Sequence, residues 1–257
     1  MKTYLTVTPT DRIDLSDMPF KAAHMAYKIR SLHLMRGRIS SGARSGMMVI
    51  TDIDTSPAEG SFKSLAAEIY NECLRRNFDG AILDFDAKPT APTSHFASKL
   101  CEELSKLKIR IYVPYLYSVF CPDASYIVSS SISGGSLREH LDQLSDIHGS
   151  TRLVLECERI AMDFLMPSAS SEGKHLSREE LNTLLQNTQA QTFYSPELCT
   201  NYFTYTDHTG KTHFVIFDNA HSLTDKLRLA QTLGFQAAFL LYPEIDDIYT
   251  EMSSYLA

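Results

Sequence analysis

The chain has 257 residues, 44% of them apolar, enough to bury the core of one large domain; α/β barrels run to about 250 residues. A formal net charge of −7 argues against a general nucleic-acid or anionic-membrane surface, either of which draws on an excess of Lys and Arg. No run approaches the ~18 consecutive apolar residues of a membrane-spanning helix.

In chain order, residues 3–7 read as a strand, and the first seventeen residues alternate where a signal peptide would be continuously apolar. Residues 20–35 fit a strand and an amphipathic helix equally well. Residues 46–53 (GMMVITDI) form a strand-like run. Phe62, Leu65, Ala66, Ile69, Tyr70, Cys73 and Leu74 then recur at helical spacing, all on one face. Strands are expected at 80–85, 109–116, 126–132 and 152–156, with helices at 96–107 and 137–147. Ser177 and Glu180 make a capping box for a helix through Leu185. Residues 202–205 and 213–217 flank the turn Asp207-His208-Thr209-Gly210, which predicts a hairpin insertion over 193–218. A helix over 222–233 is closed by Gly234, and residues 235–242 form the last long strand.

Strands this apolar need cover on both faces, which predicts α/β architecture of the TIM (β/α)8-barrel type. Seven barrel strands are legible, the eighth has to come from 20–35, and the N-terminal quarter is expected to be irregular. No repeat, linker or low-complexity tract divides the chain, so residues 1–257 read as a single barrel domain. Five scattered cysteines without a C-x-x-C pair read as reduced, buried small hydrophobes, and the expected compartment is the cytoplasm.

The most informative stretch is Phe78 to Asp86, FDGAILDFD: an apolar strand ending in spaced carboxylates. It resembles the signature strand of family 18 glycoside hydrolases, D-G-x-[DN]-x-D-x-E, with Ile82 at the usual Asp or Asn and Asp86 at the Glu. Residues 48–52 (MVITD) resemble the Thr-Asn strand of the bacterial branch that acts on peptidoglycan and spore cortex, with Asp52 for the Asn. The segment from Ser195 to Glu244 resembles the C-terminal part of that branch, so the likeness spans roughly residues 46 to 245.

The resemblance implies substrate-assisted, retaining hydrolysis of an N-acetylglucosamine-containing glycan such as chitin or peptidoglycan fragments. In that scheme Asp84 orients the substrate's acetamido group and Asp86 is the acid, one methylene shorter than Glu; a misplacement of about 1 Å can cost ~10²-fold. Asp79 matches the start of the motif. Ile132 and Ser133 stand where the family has Tyr-Asp, Ile216 stands for a Trp, and the chain has no Trp at all. Tyr242 or Phe239 then has to serve as the sugar's platform. Several lost groups on separate strands point to binding with weak hydrolysis or none.

Other candidates come from the residues alone. Glu156 and Glu158 close a barrel strand two positions apart and could supply a replacement acid or a sugar-binding carboxylate. Tyr115 and Tyr117 share a face by strand alternation, opposite Tyr112, with sugar stacking and plain packing both open. The serine-rich run at 129–133 lacks a Walker-type spacing. His208 and His213 lack a third ligand or an H-E-x-x-H pattern, so neither a metal nor another cofactor is expected. The rival readings are a scaffold or partner-binding barrel without activity, and a barrel enzyme of different chemistry built on Glu156 and Glu158.

Overall fold

The computed structural model describes residues 1–15, 17–39, 45–56, 60–85, 87–167 and 173–256. Its strands are β1 (Lys2–Val7), β2 (Lys21–Arg30), β3 (His33–Arg36), β4 (Met47–Ile53), β5 (Ala81–Leu83), β6 (Ile111–Pro114), β7 (Ser125–Ser129), β8 (Leu153–Glu156), β9 (Ala161–Met166), β10 (Lys174–His175), β11 (Phe193–Ser195), β12 (Thr200–Thr206), β13 (Thr212–Phe217) and β14 (Ala237–Leu241). The helices are α1 (Phe62–Arg76), α2 (Ala91–Lys106), α3 (Leu137–His148), α4 (Arg178–Thr188), α5 (Ala220–Thr232), α6 (Tyr242–Ile245) and α7 (Tyr249–Leu256). Among the described residues no helix is long and apolar enough to cross a membrane.

Eight strands, β1, β2, β4, β5, β6, β7, β8 and β14, pair in parallel, and the β1–β2 pairing closes them into a barrel. This is the (β/α)8 architecture the sequence predicts, and the eighth strand is β2. Its ambiguity has a physical cause. The β2–β4 register shifts between Met25 and Tyr27, and this bulge puts buried Ala23, Ala26 and Tyr27 at the i, i+3, i+4 spacing of a helix.

The irregular N-terminal quarter is real. Instead of a helix, β2 is followed by β3, which folds back antiparallel on it. Between β6 and β7 only a 3-10 turn, Tyr115–Tyr117, intervenes. Elsewhere the helices start where their caps place them: Ser61 caps α1, and Ser177 with Glu180 makes the expected box on α4. Helix α2 starts five residues earlier than expected, at a Thr90–Thr93 box with a proline in its first turn, a start that apolar spacing does not show.

The barrel interior is packed with side chains. Tyr4 stacks on Phe239 with ring centroids 5.2 Å apart, and Phe239 meets Tyr112 edge-on at 5.8 Å. Ala23, Met47, Val49, Ile82, Val154 and Ala237 fill the space around them. A second, larger cluster lies between strands and helices and includes Ile50, Leu65, Leu83, Leu100, Val113 and Leu155. Gly80 of the signature stretch is required where it stands, because a Cβ there would lie 2.5 Å from the carbonyl oxygen of Arg110, the residue before β6.

Between β8 and α5 the chain leaves the barrel to form a five-stranded antiparallel sheet, ordered β10-β9-β13-β12-β11, with α4 packed on one face. The expected hairpin over 193–218 is present as β12–β13 around a turn in which Asp207 accepts from the Thr209 and Lys211 N–H groups. It is the middle of a larger insertion that begins at Ala161. Asp218, fully buried, ties that sheet to α5. It accepts from Lys226 Nζ at 2.7 Å, Ser222 Oγ at 2.8 Å, Thr200 Oγ1 at 3.1 Å and the Ile160 N–H at 3.1 Å.

Candidate functional site

At the carboxyl ends of the barrel strands lies a cavity of about 230 Å³. Its floor is apolar: Met25, Val49, Ile82, Ile127 and Phe239, the inward residues of successive strands. Among the described residues its walls carry four carboxylates. Asp84 follows the last residue of β5 and keeps the ladder through its N–H to the Ile50 carbonyl, at 2.9 Å. Glu156 ends β8, Glu158 is two residues further on, and Glu244 comes from α6, which turns back over the end of β14.

These four acids act on one another. Glu156 is exposed at the wall of the cavity. Burial first, then the like charges of Glu158, Asp84 and Glu244, push its pKa up to about 7. Glu244 is also raised, mainly by burial, against the pull of the Arg159 N–H that it accepts at 3.4 Å. A carboxylate poised near neutral pH beside an ionisable neighbour is the arrangement from which enzymes make general acids. Over an apolar floor, this arrangement can accept hydrogen bonds from the hydroxyls of a neutral ligand and can hold a proton in reserve.

The structure therefore brings together Asp84, Glu156 and Glu158 of the residues expected from sequence. Asp86 lies outside the described residues. The others stand elsewhere. Asp79 precedes β5, at the opposite end of the barrel, where its carboxylate accepts from Lys2 at 2.8 Å, Tyr4 at 2.7 Å and Lys21 at 3.2 Å. Burial raises that carboxyl, but these donors outweigh it and hold it down to about 2. Asp52 sits at the exposed end of β4 and is paired with Arg30 and Lys28; hydrogen bonds from these two hold it down to about 2.

Tyr115 and Tyr117 do not share a strand face, because β6 ends at Pro114 and both lie in the 3-10 turn beyond it. Tyr117 is buried against Phe85, ring centroids 4.4 Å apart, and donates to the Ala87 carbonyl at 3.1 Å. Tyr115 lies against His148 on the outside of the barrel. Tyr242 opens α6, packed edge-on against Tyr249, and among the described residues Phe239 is the aromatic that reaches the cavity.

Sequence reasoning missed Glu244 as a wall of the site. The Pro243 that follows Tyr242 signals the end of the strand, but no local pattern shows that the next turn folds over the mouth. The five cysteines are free and buried. His213 is held between Asp163 at 2.9 Å and Asp207 at 3.6 Å, on the α4 side of the insertion sheet. Among the described residues no group of three His, Cys, Asp or Glu side chains is arranged to hold a metal ion.

No protein-family model matches the chain, and no curated protein matches it in sequence. Solved structures do. A chitinase from Chromobacterium violaceum is 17% identical, with a TM-score of 0.60, over 92% of this chain and 91% of that one. A family 18 chitinase from Cycas revoluta, solved as a mutant in complex with (GlcNAc)4, is 13% identical with a TM-score of 0.63, over 99% of both chains. The spore cortex-lytic enzyme of Bacillus megaterium is 14% identical with a TM-score of 0.58, over 93% of this chain and 70% of that one. The barrel and its insertion thus have the fold of the family 18 chitinases and spore-cortex hydrolases. At these identities the likeness carries the fold alone.

Proposed function

We propose that this barrel binds an N-acetylglucosamine-containing glycan, a chitin or peptidoglycan fragment, at its mouth and hydrolyses it weakly or not at all. The observation that carries the reading is that Asp84, at the position of the signature strand's orienting Asp, shares one cavity with Glu156 over an apolar floor. A pyranose ring has an apolar face and a rim of hydroxyl donors, and this floor and these acceptors complement both. The volume falls below the ~300–1,000 Å³ of pockets for drug-sized ligands, so it suits one sugar unit. Four carboxylates repel an anion, which favours the neutral N-acetylglucosamine unit of peptidoglycan over its carboxylated partner sugar.

The motifs at 48–52 and 195–244 support the bacterial peptidoglycan-directed branch, and the free cysteines support a reducing compartment, the cytoplasm. Hydrolysis would proceed by attack of the substrate's acetamido oxygen on the anomeric carbon, with Asp84 orienting that group. The glycosidic oxygen leaves with a proton from Asp86 or from Glu156, whose raised pKa keeps it partly protonated at neutral pH. Water then opens the cyclic ion at the anomeric carbon and returns a proton to the same carboxylate. The rival chemistry built on Glu156 and Glu158 thus shares its cavity with Asp84.

A second reading, a barrel kept for binding a partner, is favoured by Ile82 and Ile216 at positions the resemblance makes polar or aromatic. Release of reducing ends from chitooligosaccharides and peptidoglycan fragments separates these readings. Turnover lost in Glu156→Gln and retained in Asp86→Asn assigns the acid to Glu156, and the opposite pattern assigns it to Asp86. No turnover and no binding of either glycan leaves the partner-binding reading.

A further inference from the structure

The mouth cavity gathers charge of one sign. Asp84, Glu156, Glu158 and Glu244 line it, and no Lys, Arg or His stands among its described lining residues. The cations nearby are engaged outside that lining. Arg159, the residue after Glu158, turns its guanidinium to Asp247 at 2.6 Å and to the Glu244 carbonyl at 3.0 Å. Arg178 pairs with Asp246 and Asp247.

A ligand that enters the cavity displaces water from these carboxylates, and a desolvated charge without a counter-charge is unfavourable. The hydroxyls of a neutral sugar give the acids hydrogen bonds but leave their mutual repulsion in place. A cationic group removes it. Among the described residues no three His, Cys, Asp or Glu side chains are arranged to hold a metal ion, which disfavours a bare metal. An ammonium brings three N–H donors of its own and accepts a looser set of partners. The floor of Met25, Val49, Ile82, Ile127 and Phe239 requires an apolar face on the same ligand. Burial and its acidic neighbours push Glu156 up to about 7, so an arriving cation finds there a carboxyl that it can ionise.

We propose that the cavity is selective for an amino sugar whose amine is free and protonated, the de-N-acetylated unit of the glycan, over the N-acetylated unit. The inference rests on the function proposed above, whose cavity and sugar class it keeps. Charge sets the order of preference: the amine first, the neutral acetamide next, and a carboxylated sugar last. The ring covers the apolar floor, and its ammonium takes Glu156, Glu158 and Glu244 as partners. Such a unit lacks the acyl oxygen that attacks the anomeric carbon, so by the acetamido route it is held and not cut.

Calorimetry of the full chain with the glucosamine disaccharide and with its diacetylated form compares the two units directly. At low salt and about pH 6, where the amine is protonated, the amine form should bind about tenfold tighter or more. That advantage should shrink severalfold at about 1 M salt. Glu158→Gln and Glu244→Gln should each lower the ratio of the two affinities about fivefold. The ratio reads the charge, because a general loss of folded protein moves both affinities together. A diacetylated disaccharide bound as tightly as the amine, or tighter, overturns the inference and leaves the proposed function standing. An advantage that both variants keep in full also overturns it, since the amine is then held by the chain's general negative charge. Binding of the amine form alone sustains the inference and overturns the reading of the cavity as an N-acetylglucosamine site. Binding of neither form overturns both.

Discussion

Glu156 is the residue at which the mouth's electrostatics can be read by titration. Its carboxyl rises from an ordinary value near 4.5 to about 7 in the folded chain. Below pH 4.5 folded and unfolded forms are both protonated, and it contributes nothing. Between 4.5 and 7 the unfolded chain releases the proton that the folded chain keeps, so stability falls as pH rises; above 7 the loss is complete. Glu156→Gln should therefore match the wild type in thermal unfolding at pH 4 and exceed it at pH 8. The excess should be roughly 2–4 °C, discounted because the carboxylate opens to water. A variant no more stable than the wild type at pH 8 would remove the crowding of like charges from the account.

Asp79 behaves in the opposite sense. Held near 2 by Lys2, Tyr4 and Lys21, it contributes stability above about pH 4 that disappears as pH falls through 2. Asp79→Asn should steepen no glycan effect and should lower stability at neutral pH by about 1–2 kcal/mol in urea unfolding. The motif named Asp84 and Asp79 together, but spacing alone does not give depth along a barrel. With β5 only Ala81–Leu83, the two residues fall at opposite ends.

At the scale of elements, the joint between the insertion and the barrel is the Asp218–Lys226 pair, both side chains without solvent exposure. Removing one partner leaves a buried charge. Lys226→Met or Asp218→Asn should cost about 3–5 kcal/mol, and the double change less than the sum of the two. Equilibrium unfolding in urea checks this; additive losses would mean the pair is not coupled. The sequence made the β12–β13 hairpin legible through its turn, Asp207 to Gly210, since turn chemistry is local. It left β9 unseen, because Ala161–Met166 carries no turn signal and its partner β13 lies some fifty residues away. The same distinction explains β6. Its apolar run continues through Tyr115–Tyr117, and alternation reads on through residues that a proline has already turned into a 3-10 helix.

For the whole molecule, the barrel was legible because its strands and helices alternate in patterns that need only short windows, and because the signature stretch repeats a known strand. The mouth was only half legible. Asp84 and Glu156 stand at strand ends that sequence can locate, whereas their approach across the barrel, and that of Glu244, depends on closure of eight strands. A neutral sugar held by acceptors on a chain of net charge −7 should bind with little dependence on salt, because no ion pair forms. Affinity for the sugar that falls steeply with added salt would contradict this mode of binding.

Calorimetric titration of the full chain with the N-acetylglucosamine trisaccharide, in the wild type and in Asp84→Ala, tests the central claim most directly. The account predicts one binding site in the wild type and an affinity at least about tenfold weaker in Asp84→Ala, the loss expected when a charged hydrogen-bond partner is removed. A wild type that binds no trisaccharide, or an Asp84→Ala variant that binds it equally well, would contradict it.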